Sequence, residues 1–353
     1  MMRLRAVLRV VAINVLVLLG CALLIELVFG EWFGGDGLAT LNVQRNIEIR
    51  YSAAGLYPGA GEVIYRRDRF GLRGPYGGDP AKIELLTLGG STTNQIYLPE
   101  EQGWQAKMAE AFALLGRKLV WASAAIDGQS TRGHIEALDL WLPKIPGLKP
   151  KWALAYIGLN DLLVDGSSNA DALKRFPSVQ HHIRRKSALY RLGRTASGWL
   201  AANRGRMVHQ KTDFASLQWT TAPSREDWAA ERAQALAAYD ARLDELIDRI
   251  RALGAQPILV TQTRGDWRKR PEGVMEGAVH GKGEPNGLDV QMLLALFNAR
   301  TLAACQRKGA LCVDLAGKLE FKSDDFYDFL HNTPQGALKV GRFLADELKD
   351  VLR

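Results

Sequence analysis

The chain is poor in the residues that build metal and redox chemistry. It has three cysteines and six histidines in 353 residues, and no Cys, His, Asp or Glu run has the spacing of a metal site. No Gly-x4-Gly-Lys-Ser/Thr occurs, which excludes a P-loop nucleotide enzyme. There is no Gly-x-Ser-x-Gly elbow around Ser91, the turn that carries the nucleophile in another large class of α/β enzymes. Internal repeats and low-complexity tracts are absent, so the pattern is that of a globular domain. One long stretch lacks acidic residues: from Lys174 to Lys211 there are ten Lys or Arg and no Asp or Glu, and part of the net charge of +8 gathers there.

The N-terminus has what a soluble domain lacks. Arg3, Arg5 and Arg9 precede an apolar run from Val10 to Ile25, extended by ELVFG to Gly30. That is long enough to cross a hydrocarbon core of about 30 Å as one helix. A cleaved signal peptide would need a small-x-small site, and LVFGEWFGG has no Ala-x-Ala. LLGC, ending at Cys21, has the look of a lipoprotein signal, yet the apolar run continues past the cysteine. We read residues 1–30 as an uncleaved anchor, with the arginines in the cytoplasm and the remainder outside a bacterial inner membrane, in the periplasm or its equivalent. Glu26 lies near one end, within reach of the interface.

That address makes nucleic acid a poor match for the basic stretch. Two readings of it stand: a helix lying on anionic lipid, or, preferred, a solvated helical insertion at about 165–224. Cys305 and Cys312, seven apart, either bridge in an oxidising compartment or remain buried thiols.

Residues 31–80 read as a linker and a lead-in that packs on the domain, with RRDRFGLRGP as an ordered loop. From residue 81 to 353 a regular alternation sets in. KIELLTLGG, RKLVWASAA, PKWALAYIG, AQPILVTQ and ALCVDLA are nearly continuous apolar runs of strand length, separated by helical patterns. Such strands are buried on both faces, which predicts a parallel sheet in a three-layer α/β/α domain. Ligands in these sheets bind beyond the carboxyl ends of the strands.

The strand ends therefore hold the chemistry. The first leads into Gly89-Gly90-Ser91, the second into IDGQST with Gly128, the third into Gly158-Leu159-Asn160-Asp161; Asp328 and His331 stand before the last helix. A serine hydroxyl is a weak nucleophile until a base takes its proton, and imidazole titrates near neutrality. An aspartate three residues upstream can orient that ring. The N–H groups of Ser91 and Gly128 and the Asn160 amide could hold a developing oxyanion. Among rivals, Asp324 and Asp325 compete with Asp328, and His134, His181, His182, His209 and His280 compete with His331. Asp161 reads as a cap of the turn that follows it. Arg132, Arg264 and Trp267 lie after strand ends and are secondary candidates for touching substrate.

Four blocks in this order, GGSTT, IDGQST, GLND and DFLH, resemble the SGNH (GDSL-like) hydrolases over about residues 82–352. Gly90 stands where many members have aspartate, as in membrane-tethered bacterial members with Gly-Gly-Ser-Thr, and Ser123-Ala124-Ala125 precedes the second block. The resemblance implies a flavodoxin-like fold and esterase or acyltransferase activity. It assigns Ser91 as nucleophile, Gly128 and Asn160 as oxyanion donors and His331 with Asp328 as base pair, with no cofactor and no metal. The expected substrate is an acylated small molecule or polysaccharide, such as an acetylated envelope or exported polymer. A non-catalytic carbohydrate-binding protein on the same fold is the alternative of a different class.

Overall fold

The computed structural model describes residues 2–30, 32–33, 38, 41, 43–164, 173, 186–190, 192–193, 209–224 and 227–352. The chain forms two compact units, residues 1–43 with 174–205, and residues 44–173 with 206–353. Helix α1 (Met2–Phe29) belongs to the first. Its stretch Leu8–Phe29 is long and apolar enough to cross a membrane. The acidic residue of this stretch is not left bare. Glu26 accepts hydrogen bonds from Trp32 Nε1 at 2.7 Å, Ser187 Oγ at 2.5 Å and the Ala188 and Leu189 amides at 3.0 and 3.1 Å. Most of the expected basic insertion lies outside the described residues.

In the second unit the lead-in is more ordered than its composition implies. Strands β1 (Ile47–Ser52) and β2 (Glu62–Arg67) form an antiparallel hairpin, with Ile47 opposite Arg67. Alternation is present in β2, since Val63, Tyr65 and Arg67 are buried while Glu62 and Arg66 are exposed. Hydrophobic periodicity misses it because one inward position is an arginine. Beyond the hairpin, Arg73 pairs with Ser123 through both backbone bonds and closes one edge of the main sheet.

That sheet comprises β3 (Leu85–Gly89), β4 (Trp121–Ser123) and β5 (Trp152–Tyr156), followed later in the chain by β7 (Gln256–Val260) and β10 (Leu311–Val313). Its order is β10-β7-β5-β3-β4 and every neighbouring pair is parallel. The chain steps from β3 out to β4, then back across β3 to β5, β7 and β10. This reversal makes the gap between β3 and β5 the switch point of the fold, where the crevice opens. The expected α/β/α architecture is present.

All residues of β3 and β5 are buried. Leu85, Leu154, Tyr156, Ile258 and Val260 share one core with Trp104, Met108 and Phe112 of α2 (Trp104–Leu114) and Val340 and Leu344 of the closing helix (Pro334–Leu348). Each such fully buried side chain contributes roughly 1.5–3 kcal/mol. Alternate strand positions, Leu86, Ala153, Ala155 and Leu259, face the opposite layer. There the helices Thr131–Leu140, Ala233–Ala252 and Gly287–Lys308 pack. The last has a capping box: Asn286 Oδ1 accepts from Leu288 and Asp289 N–H, and Asp289 accepts from Asn286 N–H. Gly309, at φ +59°, ends it. Cys305 in this helix and Cys312 in β10 are joined by a disulfide.

Two elements depart from the sequence pattern. The helical pattern before AQPILVTQ is interrupted at Arg232, which divides it into Trp228–Glu231 and Ala233–Ala252. A small antiparallel sheet, β6 (Trp219–Thr220), β9 (Met275–Ala278) and β8 (Trp267–Lys269), has strands too short for any period to register.

The closing helix approaches α2 closely at Gly341, where a Cβ would sit 2.6 Å from Trp104 O and 2.7 Å from Met108 N. Because both are backbone atoms, Gly341→Ala is expected to cost about 1–3 kcal/mol in urea unfolding. An unchanged midpoint would contradict this contact.

Candidate active site

Site construction begins where β3 ends. Ser91 is the first residue of the helical turn Ser91–Asn94, whose own bonds begin with Thr93 and Asn94 N–H donating to Gly90 O at 3.1 and 2.9 Å, so the turn does not use the Ser91 N–H. The two glycines before it are steric requirements. A Cβ on Gly89 would lie 2.1 Å from Thr93 Oγ1, and one on Gly90 would lie 2.1 Å from Asn160 Nδ2. Gly90 therefore lets the amide of the third block approach the serine. Asn160 Nδ2 donates to Gln129 O at 3.0 Å, and its second N–H remains for another acceptor.

The second block curls over this point. Ile126 N–H bonds Gly89 O at 3.1 Å, and Gln129 N–H bonds Ile126 O at 3.1 Å. Gly128, the third residue of that turn, has φ +74°, a value that glycine accepts without strain.

Ser91 Oγ lies 2.7 Å from His331 Nε2. His331 Nδ1 lies 2.8 and 3.0 Å from the two oxygens of Asp328. Asp328 Oδ1 also accepts the Leu330 and His331 amides at 2.8 and 2.7 Å. Burial alone would push this carboxyl up. The hydrogen bond and charge of His331, with the two amides, outweigh burial and hold it below its usual range.

Several rival and secondary candidates are engaged elsewhere, and His181 and His182 lie outside the described residues. Asp325 accepts from Lys322 N–H and Lys339 Nζ, both at 2.7 Å. Arg264 grips the buried Asp266 through Nε at 2.9 Å and Nη2 at 2.5 Å, and Trp267 Nε1 donates to Thr263 Oγ1. Among described residues, His209, Asp328 and His331 have ligand atoms within 4.8 Å of one another. These groups are already bonded to each other, to Ser91 and to Tyr327, so we assign none to a metal.

Asp161 does something other than cap its own turn. It accepts from Thr131 Oγ1 at 2.5 Å, from Thr131 N–H at 3.2 Å and from Arg242 Nη2 at 3.1 Å. It thus ties the Gly128 loop to the Asn160 turn, because its nearest orphan N–H groups belong to the helix starting at Thr131. Sequence reasoning also missed Gln262, just past β7. Its Nε2 donates to Thr92 Oγ1 at 2.9 Å and its Oε1 accepts from Leu159 N–H at 2.8 Å, joining the first and third blocks. Two buried arginines of the lead-in brace the same rim. Arg67 Nη2 donates to Ala125 O and Arg73 Nη1 to Asn94 O. Asn94 Nδ2 in turn donates to Asp127 at 2.8 Å.

A parallel sheet of this order, with a hydroxyl, an imidazole and a carboxylate in line at its switch point, defines a three-layer α/β hydrolase. The model of the GDSL-like Lipase/Acylhydrolase family matches residues 87–338. The chain belongs to that family and is a carboxylic ester hydrolase. No curated protein matches it. Similar solved structures include Est24, a carbohydrate acetylesterase from Sinorhizobium meliloti, at 12% identity and TM-score 0.41, covering 76% of this chain and 99% of that one. The psychrotrophic esterase EstA from Pseudoalteromonas sp. has 14% identity and TM-score 0.39, covering 75% and 96%. A catalytic mutant of the acetylxylan esterase Axe2 from Geobacillus stearothermophilus has 14% identity and TM-score 0.40, covering 75% and 93%.

A lowered folded-state pKa at Asp328 gives stability that is present above the unfolded value and lost as pH falls through the folded one. The gap in unfolding free energy between wild type and Asp328→Asn should be widest above about pH 5 and close in the acid range. A gap that stays constant with pH would contradict the paired carboxylate.

Proposed function

We propose that the protein is a membrane-tethered serine esterase, with Ser91 as nucleophile, His331 as general base and acid, and Asp328 as the group that orients the ring. The observation that carries this reading is the unbroken path from Ser91 Oγ through His331 to Asp328, with contacts of 2.7 and 2.8 Å. In it, Ser91 Oγ bonds to the acyl carbon while its proton passes to His331 Nε2. The ester C–O bond then breaks, and the proton leaves with the alcohol. Water repeats the sequence on the acyl-enzyme and releases the acid. Asp328, held as a carboxylate, stabilises the imidazolium in each half.

The oxyanion is assigned to the N–H of Ser91, the N–H of Gly128 and the Asn160 amide. The glycine turn at 128 and the close approach of Asn160 to Gly90 support these roles. The substrate is read as an acylated small molecule or an envelope or exported polysaccharide. With Arg3, Arg5 and Arg9 inside, α1 would hold the domain outside the inner membrane, in the periplasm or its equivalent.

Ser91→Ala is expected to abolish fluorophosphonate labelling and to lower ester turnover at least 1000-fold. Persistent labelling would move the nucleophile elsewhere. Transfer of the acyl group to a sugar hydroxyl in place of water would make the same residues those of an acyltransferase.

Gly90→Ala tests the donor assignment separately. The added methyl displaces the Asn160 amide, so kcat should fall about 100-fold while the unfolding midpoint changes little. Full kcat in this variant would remove Asn160 from the reaction.

A further inference from the structure

His331 carries a second imidazole against its face. The His209 ring stacks on it with centroids 4.2 Å apart and planes 26° apart. His209 Nδ1 lies 2.9 Å from the Tyr327 hydroxyl and 3.9 Å from Asp328 Oδ2, and Tyr97 covers it at 4.8 Å between centroids. The backbone is fixed nearby, where Thr212 N–H donates to Tyr327 O at 2.8 Å. None of these contacts is needed to build the Ser91–His331–Asp328 path, and no motif marks His209.

We propose that His209 is a positioning residue whose protonation state gates the proton transfer at His331. This rests on the reading of His331 as the base. When neutral, the His209 ring presents its π face to the imidazolium that forms on His331 and stabilises it. When protonated, it sets a second cation on that face and opposes the same step. The titratable groups facing His209 are Tyr97, Asp127, Tyr327, Asp328 and His331. Burial, together with His331, holds the His209 imidazole below its ordinary value against the opposing pull of Asp328 and Asp127. Burial also keeps the Tyr327 phenol protonated, so the 2.9 Å contact joins a neutral hydroxyl to His209 Nδ1.

The acid limb of activity should therefore carry one proton more with the His209 imidazole present than without it. The test is kcat/KM against pH for the full chain in detergent, with a short p-nitrophenyl ester. The variants are His209→Phe, which keeps a stacked ring without a titrating nitrogen, and His209→Ala, which removes the ring. We expect log kcat/KM to approach a slope of two in wild type and of one in His209→Phe. The plateau above the acid limb should stay within about threefold in His209→Phe and drop roughly tenfold in His209→Ala.

A slope of one in wild type, a slope of two kept by His209→Phe, or an undiminished His209→Ala plateau would overturn the proposal. Ser91→Ala, run in parallel, separates the two levels. Activity that survives it overturns the serine reading and this proposal together. Loss of activity there, with a one-proton limb in wild type, overturns the role of His209 alone.

Discussion

The site depends on one hydrogen bond, 2.7 Å long, between side chains 240 residues apart in sequence. Sequence neighbours place Ser91 and His331 separately but do not bring them together. The hydroxyl is set by the end of β3 and the turn after it, and the imidazole by the loop before the closing helix. Only the sheet and the helices packed on it bring the two ends together. A shift of about 1 Å between the loops would break the path for the proton, and loops on their own do not hold such tolerances.

The rim is accordingly over-determined by buried polar contacts. Gln262 joins the serine turn to the Asn160 turn. Asp161 joins the Asn160 turn to the Gly128 loop, with Arg242 offsetting its charge. Arg67 and Arg73 reach in from the lead-in to backbone carbonyls on either side. Each is a donor or acceptor out of water that is costly to leave unpaired, which makes the set specific for one arrangement. Gly89 and Gly90 contribute by absence, leaving room for Thr93 and for Asn160.

The sheet and the four blocks were legible because each signal is local. A run such as LLTLG or WALAY declares a buried strand, and the residues just past it declare the block. What stayed hidden was chemistry shared between distant segments. Gln262 acts on Thr92 and Leu159, 170 and 103 positions away, and nothing around it in sequence marks that role. Arg67 reads as a charged loop residue, yet it is 5% exposed and fills an inward position of a strand. Asp161 reads as a local cap because aspartate so often is one, while the N–H it serves lies at the start of another helix. His209 stood only among the rivals of His331, although the two rings are stacked.

The central claim is that charge developing on the substrate oxygen is met by a pocket built from three of the four blocks. A crystal structure of the phosphonylated protein tests it most directly. Phosphorus should be bonded to Ser91 Oγ, with one phosphonyl oxygen within hydrogen-bond distance of Gly128 N and Asn160 Nδ2. An adduct on another residue, or an oxygen turned away from both donors, would contradict it.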